Sequence, residues 1–565
     1  MRAVRLTAAV IAALTVVAAC TRPDDASGGA GGGFEACAAD PAGCNAGPTE
    51  PGGTMTYALG KDVKAWNTLS SAGNTVEYQQ ALAGVLGVAH VFAPDLKHTI
   101  NTDTLASMGL VSSAPMTVQY KIQPNAVWSD GTPISAEDFI WVWKVMNGRD
   151  CTGCTAASND GYQDIAAVAG ADNGKTVTAT FSKPYPDWQG LFGTLYPAHL
   201  AAQQGDLAAG FSWMEKTVPT WSGGPYRIEK HEPNFALTLV RNERWFGKSK
   251  APLDRIVYRI ITNDAELAPA LRNGEVSAVN PIVTPDILAQ VREVPDVNSH
   301  LGKGLSWEHL DFNLKNPALA DRAIRQAIFT AINRADIIAK TVGQYAPDTQ
   351  PMGSHNFVPT MPGYVDHVSA TGQGSGDLAK AREILAKAGY RSAGGKLVAP
   401  SGKAVPPLRI RHTVGNQLRR NTCELVANMV KELGVEVRVE PTDNLGATLT
   451  SGDFDIMIFA WMLSPLRIGA ASSLWASSSA SNYGRWSNPA SDKLLAQANQ
   501  IVGDDAKAFD LINQADKIMT EDAYVLPLFQ RESFTAVASR YANIRPNPTL
   551  SGVGYNIAQW GLRAQ

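Results

Sequence analysis

One apolar run constrains this chain more than any other feature. Leu6 to Ala19 follows two basic residues, Arg2 and Arg5, and stops at Cys20. The run is too short for a permanent membrane helix but fits the core of a secretory signal. Residues 1–19 are therefore read as a signal peptide. The chain beyond them is expected to fold outside the cytoplasm, where paired cysteines oxidise. No later apolar run is long enough to cross a bilayer, so the remainder should be globular.

The residues before Cys20 are Val17-Ala18-Ala19, which resembles a bacterial lipobox. That motif implies cleavage before Cys20 and a diacylglycerol on its sulfur, so the membrane contact would be a lipid anchor only. Residues 20–53 are then a lipidated Cys and a flexible tether, because Gly, Ala, Pro, Asp and Ser bury too little surface to fold. Cys37 and Cys44 lie in this stretch, and a local disulfide between them is expected. Cys151-Thr-Gly-Cys154 has no second cysteine pair and no nearby histidine pair, so a small loop disulfide fits better than a metal site. Cys423 is left over, on the apolar face of a helix with Val426, Val430 and Leu433, as a buried thiol.

The 565 residues imply several domains. The formal charge of −3 gives no basic stripe and so no reason to expect nucleic acid. Helix and strand signals alternate. Ser135 caps a helix to Met146, with Asp138 at the box position. Asn173-Gly174 marks a hairpin before the strand Thr176 to Phe181. Tyr226 to Lys230 and Ala236 to Arg241 read as strands. Asp321 and Asp377 cap further helices. A helix over 421–433 stops at Gly434 and leads into alternating valines, then the apolar strand Phe454 to Ala460. Asn488-Pro489 starts a helix to 501. This rhythm predicts an α/β fold with a partly parallel sheet.

Segments in a fixed order resemble family 5 of the bacterial extracellular solute-binding proteins, which serve ABC importers for oligopeptides, dipeptides or nickel. They begin with Trp128-Ser-Asp-Gly-Thr-Pro133 and Ser135-Ala-Glu-Asp-Phe139. Gly223-Gly-Pro-Tyr226, Arg241-Asn-Glu-Arg-Trp-Phe246 and Leu271-Arg-Asn-Gly-Glu-Val276 come next. Phe312-Asn313, Arg325-Gln-Ala-Ile328, Ile332-Asn-Arg334, Ala388-Gly-Tyr390, Leu433-Gly-Val435, Gly452-Asp-Phe-Asp455 and Leu526-Pro-Leu528 complete the series. The resemblance covers roughly residues 53–560. It implies a periplasmic-binding-protein-like type II (cluster C) fold, with two lobes, a hinge and an inserted domain. Lobe I would comprise 54–95, 218–303 and 527–565, the insert 96–217, and lobe II 304–526. Trp128 is expected to pack, not to touch ligand.

In peptide-binding relatives a Trp after the Asp-containing strand lies against the ligand, and an Asp three residues on pairs with the peptide's α-amino group. Those positions here are Trp461 and Ser464. Glu308 is the candidate replacement acid, and Arg467 the leading candidate for a ligand carboxylate among Arg409, Arg411, Arg419, Arg420 and Arg467. Asn67, Asn482, Tyr483 and Gln530 are candidates for hydrogen bonds to peptide backbone. With nine histidines and no helical metal spacing, no metal or cofactor is expected. Nucleophile-elbow, zincin and P-loop motifs are missing, which argues against an enzyme. The expected partners are a small peptide or peptide-like solute and an ABC permease, with the protein a monomer. A regulatory or sensor protein on the same fold, or a glycan, siderophore or nickel-chelate cargo, stays open.

Overall fold

The computed structural model describes residues 33–564. The signal peptide and Cys20 lie outside the described residues. One ten-stranded sheet runs through the molecule. In order its strands are Tyr226–Glu232, Ala236–Arg241, Arg255–Ile260, Thr54–Leu59, Ala278–Val279, Val525–Ala538, Val297–Phe312, Ile456–Met462, Leu408–Thr413 and Val437–Thr442. Parallel pairs occur on both sides: Arg255–Ile260 with Thr54–Leu59, and Leu408–Thr413 with both of its neighbours.

Two strands are far longer than the rest, at 16 and 14 residues: Val297–Phe312 and Val525–Ala538. They pair antiparallel from Val297↔Ala538 to Asp311↔Val525, and only they belong to both sides of the sheet. Their register shifts between Lys303↔Glu532 and Trp307↔Gln530. A bulge bends a strand and sharpens its twist. It falls where the sheet passes from one half to the other.

The capping signals act where the sequence put them. Ser135 and Asp138 close a reciprocal capping box on Ala136–Met146. Trp128 is fully buried and donates from Nε1 to Asp138 Oδ2 at 3.2 Å, tying the turn to the helix it precedes. Asp138 also accepts from Ala198 N. Asp321, Asp377 and Asn488 cap Arg322–Ala331, Leu378–Lys387 and Pro489–Ala498. The helix expected over 421–433 is longer, Gln417–Lys431, because Asn416 caps it by accepting from Arg419 N. That earlier start brings Arg419 to the sheet.

Residues 105–181 form a separate four-stranded sheet, Leu105–Ser113, Met116–Ile122, Thr176–Phe181 and Ile165–Ala171. Its apolar core is nevertheless continuous with that of the first half: Tyr120, Phe139 and Trp128 belong to one cluster with Tyr57, Tyr258 and Trp560. The second half has its own cores, one around Leu310, Phe329 and Val426, another around Trp307, Phe357 and Trp475.

The tether reading fails for its described part. Phe34, Cys37 and Cys44 are buried in the first half's core. Thr49–Glu50 pairs with Gly561–Arg563. Asn45 donates to Ile544 O at 2.8 Å, and Arg545 Nε to Cys44 O at 2.8 Å. Composition excludes an independent fold for this segment but not docking onto the chain's far end, 499 residues away. Cys37–Cys44 and Cys151–Cys154 are disulfide-bonded. Cys423 is free and buried. Among the described residues no helix is long and apolar enough to cross a membrane.

Candidate functional site

Strand alternation places Trp307 and His309 on one face of the sheet, opposite Trp461 and Phe459 of the neighbouring strand. The rings form a cluster. His309 lies 4.4 Å from Trp307, 4.2 Å from Phe459 and parallel to Trp461 at 6.3 Å. Trp461 is half-buried and stacks on Tyr483, with centroids 5.9 Å apart and planes 10° apart. His309 Nδ1 meets Asp311 Oδ1 at 2.6 Å. A carboxylate only accepts, so this contact places the ring proton on Nδ1. Three buried polar atoms of this cluster have no partner: Trp307 Nε1, Trp461 Nε1 and His309 Nε2.

Glu308 points the other way. It is fully buried, and both of its oxygens accept from Arg419, Nε at 3.1 Å and Nη2 at 3.1 Å. Arg531 stands 3.6 Å off. The replacement acid expected from the sequence is therefore committed to a buried ion pair on the helix-backed face, away from Trp461. A strand's period of two separates the faces of adjacent residues, so nearness in sequence to Trp307 misleads here.

Three other candidates, Ser464, Asn482 and Gln530, are engaged by the protein itself, and a fourth, Asn67, in part. Ser464 Oγ accepts from Leu466 N at 3.2 Å and closes a local turn. Asn482 donates to Ala476 O and Trp486 O and accepts from Trp486 N and the Tyr524 hydroxyl. Gln530 donates to Gly304 O and Thr360 Oγ1. Asn67 is buried, with Oδ1 accepting from Leu69 N, and only its Nδ2 lacks a partner.

Arg467 is buried too. Its Nε donates to Asn356 O at 2.8 Å, Nη2 has no partner, and burial pushes its guanidinium down to about 10. Beside it sits Asp187, from the region of the small sheet. Asp187 accepts from Ile468 N, Gly469 N and Ala470 N at 3.2, 2.8 and 3.4 Å. It thus caps the helix Ile468–Trp475 from across the chain, where the helix's own preceding residue, Arg467, offers no side-chain cap. Burial raises the Asp187 carboxyl above its usual range. Asp160 adds a second bridge, accepting from Ser473 Oγ at 3.0 Å.

A cavity of about 430 Å³ opens at the bulge. Leu301, Lys303, Leu305 and Glu532 of the long strands line it, with Asp348 and Thr360 of the second half. Pro94–Leu96, Pro546 and Pro548 close it from the first half, and Cys37, Ala38 and Pro41 from the N-terminal segment. Leu305 and Leu96 join the core that holds Trp307. Glu532 and Lys303 escaped the sequence reading, since nothing in a strand of mixed residues shows which carboxylate will face a gap. A second cavity, about 460 Å³, lies within the first half among His90, Phe92, Trp245 and Tyr555; Trp461 lines neither cavity. Among the described residues no cluster of His, Cys, Asp and Glu has metal-holding geometry.

Residues 102–483 match the family described as bacterial extracellular solute-binding proteins, family 5 Middle. The oligopeptide-binding protein OppA of Mycobacterium tuberculosis is 29% identical over 505 residues, 87% of this chain and 82% of OppA. The solved periplasmic EDTA-binding protein EppA is 34% identical, with a TM-score of 0.90 over 93% of this chain and 99% of EppA. The oligopeptide-binding protein AppA of Bacillus subtilis, solved with a nonapeptide, shares the fold with a TM-score of 0.75 at 19% identity, over 92% and 100% of the two chains. The architecture is that of type II periplasmic binding proteins, two lobes joined by the long strands, and the chain belongs to the bacterial extracellular solute-binding proteins of family 5.

Proposed function

We propose that this protein captures a peptide or peptide-like solute between its lobes and hands it to an ABC permease, held at the outer face by a lipid on Cys20. The carrying observation is the cavity at the bulge, which takes its walls from both halves and from the two strands that join them. Its volume suits a short peptide or a ligand of similar size. Lobe I corresponds to 54–95, 218–303 and 527–565, the insert to 96–217 and lobe II to 304–526, with docked residues 34–53 added to lobe I. Closure about the long strands buries the solute, and Asp187 on the helix Ile468–Trp475 fastens the closed form. Native mass spectrometry of the purified full-length chain tests this reading: a bound small molecule is expected. Re-addition should stabilise the fold by about 2.7 kcal/mol at a hundred times the dissociation constant. A chain that carries no solute and is stabilised by none would instead fit a sensor acting through a protein partner.

A polycarboxylate chelate is the second reading. It draws on the unpartnered donors Trp307 Nε1, Trp461 Nε1 and Arg467 Nη2 and on the relative named for EDTA. Against it stands the charge of the cavity, where two carboxylates share one lysine. Calorimetric titration with EDTA and its magnesium complex separates the two.

A further inference from the structure

We propose that Glu532 recognises a cationic head group of the solute, a primary ammonium, and so takes the role that a carboxylate at position 464 would fill. This rests on the solute-capture reading above.

Glu532 Oε1 accepts from Lys303 Nζ at 2.7 Å and from Thr349 Oγ1 at 2.9 Å. Its Oε2 is buried and has no partner, and the residue lines the cavity. The side chain is 2% exposed, so this oxygen is also cut off from bulk water. A buried carboxylate oxygen without a donor is costly, and a charged donor satisfies it best.

The charges around the cavity agree. Lys303 is shared with Asp348, at 3.5 Å. Asp95 has its own partner, Lys97, at 2.7 Å. His300 also lines the cavity, and burial lowers its pKa, which favours the neutral ring. One lysine facing Glu532 and Asp348 leaves a net negative charge, which favours a cation and disfavours a carboxylate in the same place. The other buried acids of the long strands are engaged: both Glu308 oxygens accept from Arg419, and Asp311 pairs with His309. Ser464 is a neutral turn residue.

An ammonium can come from a peptide's amino terminus or from a lysine side chain. The test uses a tryptic casein digest in three forms: untreated, acetylated at its amino termini only, and acetylated at all amines. Binding to the full-length chain is measured by native mass spectrometry and calorimetry. The untreated digest should bind at least about tenfold more tightly than the fully acetylated one. The half-blocked digest shows which amine is read: retained affinity for lysine-bearing peptides assigns the side chain, and loss assigns the terminus. Glu532→Gln should erase the preference, whereas Lys303→Met, which removes the competing cation, should keep or strengthen it. Wild-type selectivity needs no variant, so a Glu532→Gln protein that fails to fold does not remove the test. Equal binding of all three digests overturns the proposal and leaves peptide capture standing. Binding of none overturns both.

Discussion

Glu308 and Glu532 are both buried carboxylates on the two long strands, yet their surroundings are opposite. Glu308 faces the helix Gln417–Lys431, where Arg419 binds both oxygens and Arg419 Nη1 also donates to Thr413 Oγ1. Glu532 faces a cavity, with one oxygen bonded and the other not. The first acid is matched to its neighbours by the fold. The second has an oxygen left over at the wall of a cavity. Burial and charge alone do not separate the two; the count of satisfied oxygens does.

Arg419→Met is the strongest test of that contrast. It leaves buried Glu308 with only Arg531, 3.6 Å away, in place of its two-point partner, and stability in urea should drop by about 3 kcal/mol. The Glu308→Leu, Arg419→Met double variant should regain most of it. If the single change costs less than about 1 kcal/mol, Glu308 is not committed as described. Trp461→Ala comes next: solute affinity should fall by about 2 kcal/mol with a cooperative melt retained, because the ring stacks on Tyr483 while half-exposed. Unchanged affinity would remove the aromatic cluster from the site. Asp187→Ala should weaken affinity by about 1 kcal/mol by uncapping the helix Ile468–Trp475, and should shift X-ray scattering of the loaded protein towards a more open form. Ser464→Ala should move affinity by less than about 0.5 kcal/mol, since its hydroxyl serves a turn. A large effect there would return recognition to the strand that carries Trp461.

Local signals in the sequence located most elements. Ser135, Asp321, Asp377 and Asn488 are caps whose partners lie two or three residues on, so the chain states them directly. The family could be read because its turns and strand entries recur in order. The candidate site was less legible, because its groups meet across hundreds of residues. Lys303 and Glu532 are partners only through strand pairing with a bulge in it. Asp187 reaches Gly469 across 282 positions. Glu308 looked available because a sequence does not display which face a residue takes, or that Arg419 waits there. The docked segment around Cys37 was missed for the same reason: its partners, Ile544 and Arg545, lie at the other end of the chain.

The pairing of Thr49–Glu50 with Gly561–Arg563 has a mechanical consequence. Tension applied at the amino end meets first the cystine loop held by Arg545, then a two-residue strand pair loaded in shear. Force is thereby passed to the carboxyl end before it can reach the long strands. A pull on the amino end therefore loads these contacts before it loads the pairing of Val297–Phe312 with Val525–Ala538.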